Sequence, residues 1–300
     1  MAGEPMKHRK RKKSSFSVRN RDEGIAFFLT VLSFNINEYG KIEICRGERE
    51  KLKMAKKVLN SNHLKLIAIL AMTIDHFTDL FYPNFPAEPL PIVFHIIGRL
   101  TAPIMWFFIC EGFYYTKNVK KYMLRLGLFA VISHFAYCFG FGIELNPLKG
   151  SIFNRTSVMY PLFIAVVVLY IRQYVNTLKP WQKFIIQFIL IWSAFPADWS
   201  CIAVLAIVDM YAQRGNLRKQ MLKIVQWVFV YAIVSYFFVS KAFAFIMVGV
   251  ILVYPVLKLY NGERGNAKWM KWFFYVFYPL HLIILGILRL YFYGNVNICL

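Results

Sequence analysis

Apolar residues along this chain gather into nine blocks separated by short polar stretches. The blocks cover residues 64–82, 91–115, 122–142, 158–170, 184–195, 199–212, 224–239, 242–257 and 269–292. Within a block the apolar positions run all round the helix instead of forming one stripe, as in a helix surrounded by lipid or by protein core. Crossing about 30 Å of hydrocarbon takes about 20 mostly apolar residues. Some blocks have that length outright, and others reach it with their flanks. Blocks 184–195 and 199–212 are the weakest, because Pro196 and Asp198 interrupt them. The pattern predicts an all-α, polytopic transmembrane bundle of about nine spans.

Composition removes the main alternative. Hydrophobic residues make up 58% of the chain and charged residues 17%. So few polar side chains cannot cover nine helices that are apolar all round, so a large soluble helical protein is excluded.

The formal net charge of +21 raises the question of nucleic acid, but its distribution answers it. Lys51, Lys53, Lys56 and Lys57 precede the first block, and the loop at 83–91 has no Lys or Arg. Lys117, Lys120, Lys121 and Arg125 follow the second block, and only Lys149 and Arg155 follow the third. Arg172, Lys179 and Lys183 come next, followed by 196–198 with none. Arg214, Arg218, Lys219 and Lys223 then precede the Ser240–Lys241 turn, and Lys258, Arg264, Lys268 and Lys271 precede the last block. Basic loops stay on the cytoplasmic side. The alternation predicts an N-terminus inside, a C-terminus outside and a multi-pass place in the cytoplasmic membrane. Membrane lipids are the expected surroundings, and no nucleic-acid partner is needed.

Residues 1–57 differ in kind, with fifteen Lys/Arg against seven Asp/Glu. A basic run at 7–13 and an apolar patch at 24–36 resemble the charged and apolar parts of a signal peptide, yet no small-residue cleavage site follows. The patch also suits an interfacial helix, and a simpler reading starts translation at Met54. We read 1–57 as a poorly ordered basic cytoplasmic extension and 58–300 as the membrane domain. The five cysteines are odd in number and lack metal-ligand spacing, so neither a disulfide framework nor a metal site is expected.

Candidate chemistry comes from polar residues inside the blocks, which are costly there and point to function. They are Asp75, His76, Arg99, Glu111, His134, Asp209 and His281. At 1.5 Å per residue, Asp75, Arg99, His134 and His281 all fall about 15–20 Å from the inner face, near the midplane. Each has a plain structural reading as well. Arg99 neutralises Asp75, His134 is a hydrogen-bonded packing residue, Glu111 pairs with Arg125, and Asp209 pairs with Arg214 or Arg218. Asp75, His76 and His281 resist that reading best, since histidine suits acid–base work near neutral pH. Adjacent helical residues point about 100° apart. Asp75 should therefore serve a group on another helix, such as His281 or Arg99, instead of His76.

The segments LKLIAILAMTIDH, IGRLTAPIMWFFICEGFYYTKNVKKYMLRLGLFAVISHFAY, SVMYPLFIAVVVLYI, PADWSCIAVLAIV and FYPLHL resemble the TraX family from about Leu64 to Arg289. The family is associated with N-acetylation of a pilin amino terminus. It is distantly similar to multi-span acyltransferases that carry acetyl groups from cytosolic acetyl-CoA to an acceptor at the far face. The resemblance implies a membrane acetyltransferase with acetyl-CoA as donor and a protein amine or a glycan at the cell surface as acceptor. On that reading Asp75, His76, His281 and Arg99 are catalytic. Arg125, Glu111 and Lys121 serve the donor, and Asp198, Trp199 and Tyr278 meet the acceptor. A proton-coupled transporter and a non-catalytic assembly factor for a surface structure are the alternatives.

Overall fold

The computed structural model describes residues 57–83, 85–86, 88–143, 145, 154–267 and 269–294. The extension at 1–57, except Lys57, lies outside the described residues, as do its apolar patch and Met54. Among the described residues eleven α-helices follow one another: α1 (Ser61–Phe81), α2 (Pro89–Gly98), α3 (Thr101–Tyr115), α4 (Val119–Phe141), α5 (Met159–Tyr174), α6 (Pro180–Ser193), α7 (Ser200–Ala212), α8 (Leu217–Phe238), α9 (Lys241–Ile246), α10 (Val253–Lys258) and α11 (Met270–Tyr293). A 3-10 stretch, Met247–Leu252, joins α9 to α10. No strand forms among the described residues.

Each of the nine apolar blocks coincides with a helical stretch. Among the described residues five stretches are long and apolar enough to cross a membrane: Pro89–Tyr115, Val119–Phe141, Leu217–Phe238, Lys241–Lys258 and Trp272–Tyr293. Met159–Tyr174 and Ser200–Ala212 are apolar but shorter. Helix α1 carries Lys65, Asp75 and Asp79 along its 21 residues, which lowers its apolar character.

Local chemistry sets the ends of these helices. Asn60 accepts from the Asn62 and His63 amides at the start of α1, and Asn118 and Asn216 accept from Lys121 and Lys219 at the starts of α4 and α8. These caps satisfy amides that a helix N-terminus leaves without partners. The break between α2 and α3 falls at Arg99–Leu100. Pro103 has no N–H to give the Arg99 carbonyl, so the apolar rod bends there.

Helices α3, α5 and α7 pack against one another at the centre. Trp106, Ile104, Leu162, Ile207 and Met210 are fully buried there. Around them, α1 packs on α2, α3 and α11, and α4 packs on α5 and α11. The outer helices are apolar toward the surroundings. Leu124, Phe237 and Phe238 are 73%, 74% and 73% exposed. A water-soluble protein rarely exposes contiguous apolar surface on that scale, so the chain is a membrane protein.

Candidate active site

One face of α1 meets one face of α2. Asp75 and Asp79 lie one turn apart on α1, and His95 and Arg99 lie one turn apart at the end of α2. Side chains four apart share a helix face, so two acidic groups confront a histidine and an arginine. Arg99 Nη2 donates to Asp75 Oδ1 at 2.9 Å and to Oδ2 at 2.7 Å. His95 Nδ1 donates to Asp75 Oδ1 at 2.7 Å, and Arg99 Nε donates to the His95 carbonyl at 3.3 Å. Asp79 Oδ1 stands 3.9 Å from His95 Nε2. Gly98 permits this approach, because a Cβ there would collide with Asp75 Cβ and Cγ.

His76 points elsewhere, as the 100° rotation requires. Its Nδ1 lies 2.8 Å from His281 Nε2 on α11. His281 Nδ1 donates to the Phe277 carbonyl at 3.0 Å. Phe277 stacks on the His281 ring at 5.3 Å, and Phe141 meets His76 edge-on at 5.4 Å.

These groups surround a cavity of about 120 Å³. Asp75, His76, Asp79, Arg99, Asp198, Trp199, Tyr278 and Arg289 line it, with Pro83, Phe85, Asn154 and Phe243 at its loop end. That end of the bundle is built from the Lys- and Arg-poor loops. A space of about 120 Å³ lined by these polar groups has room for several waters or a small polar ligand. The loop between α6 and α7 supplies Asp198 and Trp199. Its chain is held by the Asp198 amide donating to the Thr156 carbonyl at 2.8 Å. Trp199 and Ser200 are held at φ 63° and 51°, strained values for residues with side chains. The Trp199 ring meets Trp106 edge-on at 5.2 Å, and the Arg99 guanidinium lies 5.6 Å from it. Burial lifts the Asp198 carboxyl to about 6, while Arg99 pulls it down.

The stretch 60–289 matches the family model described as TraX protein. The chain belongs to the TraX family. A probable fimbrial assembly protein of Dichelobacter nodosus, FimC of serogroup H1, is 31% identical over 229 residues. That match spans 74% of this chain and 92% of the relative. No solved structure matches.

In this TraX-family chain the expected residues divide by location. Asp75, His76, Arg99, Asp198, Trp199 and Tyr278 come together around the cavity, and His281 backs His76 from behind. Asp75 serves Arg99 as expected and does not reach His281. Arg125, Glu111 and Lys121 stand apart. Glu111 lies six residues, about 9 Å of helix rise, beyond the last cavity residue of α3, Met105.

Two expected pairings are corrected. Glu111 does not pair with Arg125 but accepts from Arg214 Nε and Nη2 at 2.9 and 3.2 Å. Helix α3 packs on α7, which brings the loop after α7 to Glu111, whereas Arg125 lies over the Tyr122 ring. Asp209 pairs with neither Arg214 nor Arg218. Trp227 Nε1 donates to its Oδ2 at 3.0 Å, and Lys223 stands at 3.9 Å, because α7 packs on α8. His134 bonds with Thr156 Oγ1 at 3.0 Å and the Leu145 carbonyl at 3.2 Å, away from the cavity.

Sequence reasoning missed His95, Asp79 and Arg289. The signal was present for the first two, since His95 precedes Arg99 by four residues and Asp79 follows Asp75 by four. Among the described residues, no group of three His, Cys, Asp or Glu is placed to hold a metal.

Proposed function

We propose that this chain is a multi-pass protein of the cytoplasmic membrane that moves an acetyl group from cytosolic acetyl-CoA to an amine on a surface-fibre subunit. On this reading it has nine spans, its N-terminus is inside, and its cavity opens to the far face. The observation that carries the proposal is the cavity itself. It unites a histidine backed by a second histidine, an arginine fixed by a carboxylate, and carboxylates that lack an arginine or lysine partner of their own.

Each group has a role in acyl transfer. His76 keeps Nε2 clear of the His281 bond, so it can take the proton from the attacking nitrogen. Arg99 is pinned through Nε and Nη2, which leaves Nη1 for the carbonyl oxygen as negative charge develops there. Asp79 and Asp198 attract a cationic amine to the mouth, and Trp199 and Tyr278 form walls. A cationic amine first gives one proton to Asp79 or Asp198, which frees its lone pair; the C–N bond then forms as the C–S bond breaks, and the second nitrogen proton, taken by His76, passes to the departing sulfur. A glycan hydroxyl would use the same base but would gain nothing from the two carboxylates.

The donor supplies the activated thioester carbonyl. On this reading the rest of the donor extends toward the basic loops. Arg125 fits a phosphate there, since its buried Nε has no hydrogen-bond partner, and exposed Lys121 adds charge. Glu111 does not fit, because Arg214 occupies its carboxylate on both oxygens.

The name of the Dichelobacter relative, a probable fimbrial assembly protein, favours a fibre subunit as acceptor. The same name suits a purely structural assembly role. A sided assay separates these readings. Proteoliposomes carrying the full chain receive labelled acetyl-CoA on the face bearing the basic loops and an amine-terminated peptide on the other. Labelled peptide is the expected result. Donor binding without label on any amine would favour assembly, and neither binding nor label would favour a proton-coupled transporter.

A further inference from the structure

The hydrogen bonds around His281 determine where the proton sits on His76. The Phe277 carbonyl can only accept, so His281 Nδ1, 3.0 Å from it, carries a hydrogen. A neutral imidazole with hydrogen on Nδ1 has its lone pair on Nε2. That Nε2 lies 2.8 Å from His76 Nδ1, so the hydrogen of this second bond belongs to His76 Nδ1. By the same rule the lone pair of His76 falls on its Nε2. A backbone carbonyl thus fixes a lone pair two rings away.

Packing holds both rings in that arrangement. The two imidazole planes are 14° apart, and the Phe277 ring lies within 7° of the His281 plane. Pro279 stands between Phe277 and His281 and has no N–H to add to the local helical ladder. Asp75, the neighbour of His76 in sequence, is committed to His95 and Arg99.

We infer that His281 is a positioning residue that holds His76 as the Nδ1–H tautomer and so presents its Nε2 lone pair to the cavity. Taking a proton on Nε2 leaves the Nδ1–H bond to His281 in place and makes it charge-assisted. A neutral partner orients the base without adding another buried charge, which is costly away from water. The use of that lone pair as a general base rests on the transferase reading, whereas the tautomer itself does not.

The test uses the full chain in lipid bilayers with nitrogen-15 in its histidines. Solid-state NMR distinguishes protonated from bare ring nitrogens, and His76→Gln assigns the His76 signals. The wild type should show hydrogen on His76 Nδ1 and none on Nε2. His281→Phe should turn His76 into a tautomer mixture. His281→Gln should preserve Nδ1–H, because a side-chain carbonyl oxygen can accept from it. A wild-type His76 with bare Nδ1, or an unchanged tautomer in His281→Phe, would overturn the inference. If His281→Phe does not fold, the wild-type and His281→Gln spectra still decide. In the transfer assay, His281→Phe should lower kcat on the order of 10²-fold with little change in acceptor KM, and His281→Gln should retain most activity. Absent wild-type transfer alongside the stated tautomer would sink the transferase and leave the positioning role standing.

Discussion

The bundle holds acidic–basic pairs toward both ends, and they differ in what surrounds them. Asp75 and Arg99 have side chains 12% and 7% exposed, share His95, border a cavity and lie beside the His76–His281 pair. Glu111 and Arg214 are 18% and 21% exposed. Arg214 also lies 3.4 Å from the centre of the Tyr114 ring. Glu111 accepts from Arg214 on both its oxygens and does not line the cavity that Asp75 and Arg99 border. A charge pair within apolar helices is therefore weak evidence of chemistry by itself. What separates the two is the space beside them: Arg99 and His76 line the cavity, with Nη1 and Nε2 outside the bonds already made, and Glu111 does not line it.

That contrast can be broken by substitution. The largest effect should come from His76→Ala, which lowers the transfer rate by about 10²–10⁴-fold with folded protein retained, measured by label on an amine peptide. Next is Arg99→Ala, which leaves Asp75 buried and should destabilise the protein by about 3–5 kcal/mol in a thermal-unfolding series. Adding Asp75→Asn to it should recover part of that loss, because the uncompensated charge disappears. The third effect is on pH. Acceptor binding should tighten as pH rises through about 6, where Asp198 loses its proton, and Asp198→Asn should flatten that profile. The smallest is Glu111→Gln, which should cost about 1 kcal/mol or less and leave the transfer rate unchanged.

Much of this was legible in the sequence, for a physical reason. Helices surrounded by apolar neighbours must themselves be apolar, so the apolar blocks marked the helical stretches of the described residues. Residues 91–115 read as one block, so neither the α2–α3 break nor the close approach at Gly98 was anticipated, although Pro103, four residues after Arg99, carries the signal of the break. Rise per residue put Asp75, Arg99, His134 and His281 at one level, and the structure brings three of them together while His134 lies away from the cavity. Azimuth was not legible. Which face of α11 meets α1 depends on packing, so the His76–His281 bond could not be read from spacing. The same limit misassigned Glu111 to Arg125, since nothing in the sequence said that α3 faces α7. His95 was hidden differently. It sits in an apolar run, and only its four-residue spacing from Arg99 marked it as a partner of Asp75.

On the proposed reading the cavity end performs transfer and the Glu111 end does not. One experiment compares wild type, His76→Ala and Glu111→Gln in lipid, with labelled acetyl-CoA and an amine-terminated peptide. The account predicts transfer by wild type and Glu111→Gln and near-complete loss in His76→Ala. Equal transfer by all three, or loss only in Glu111→Gln, would contradict it.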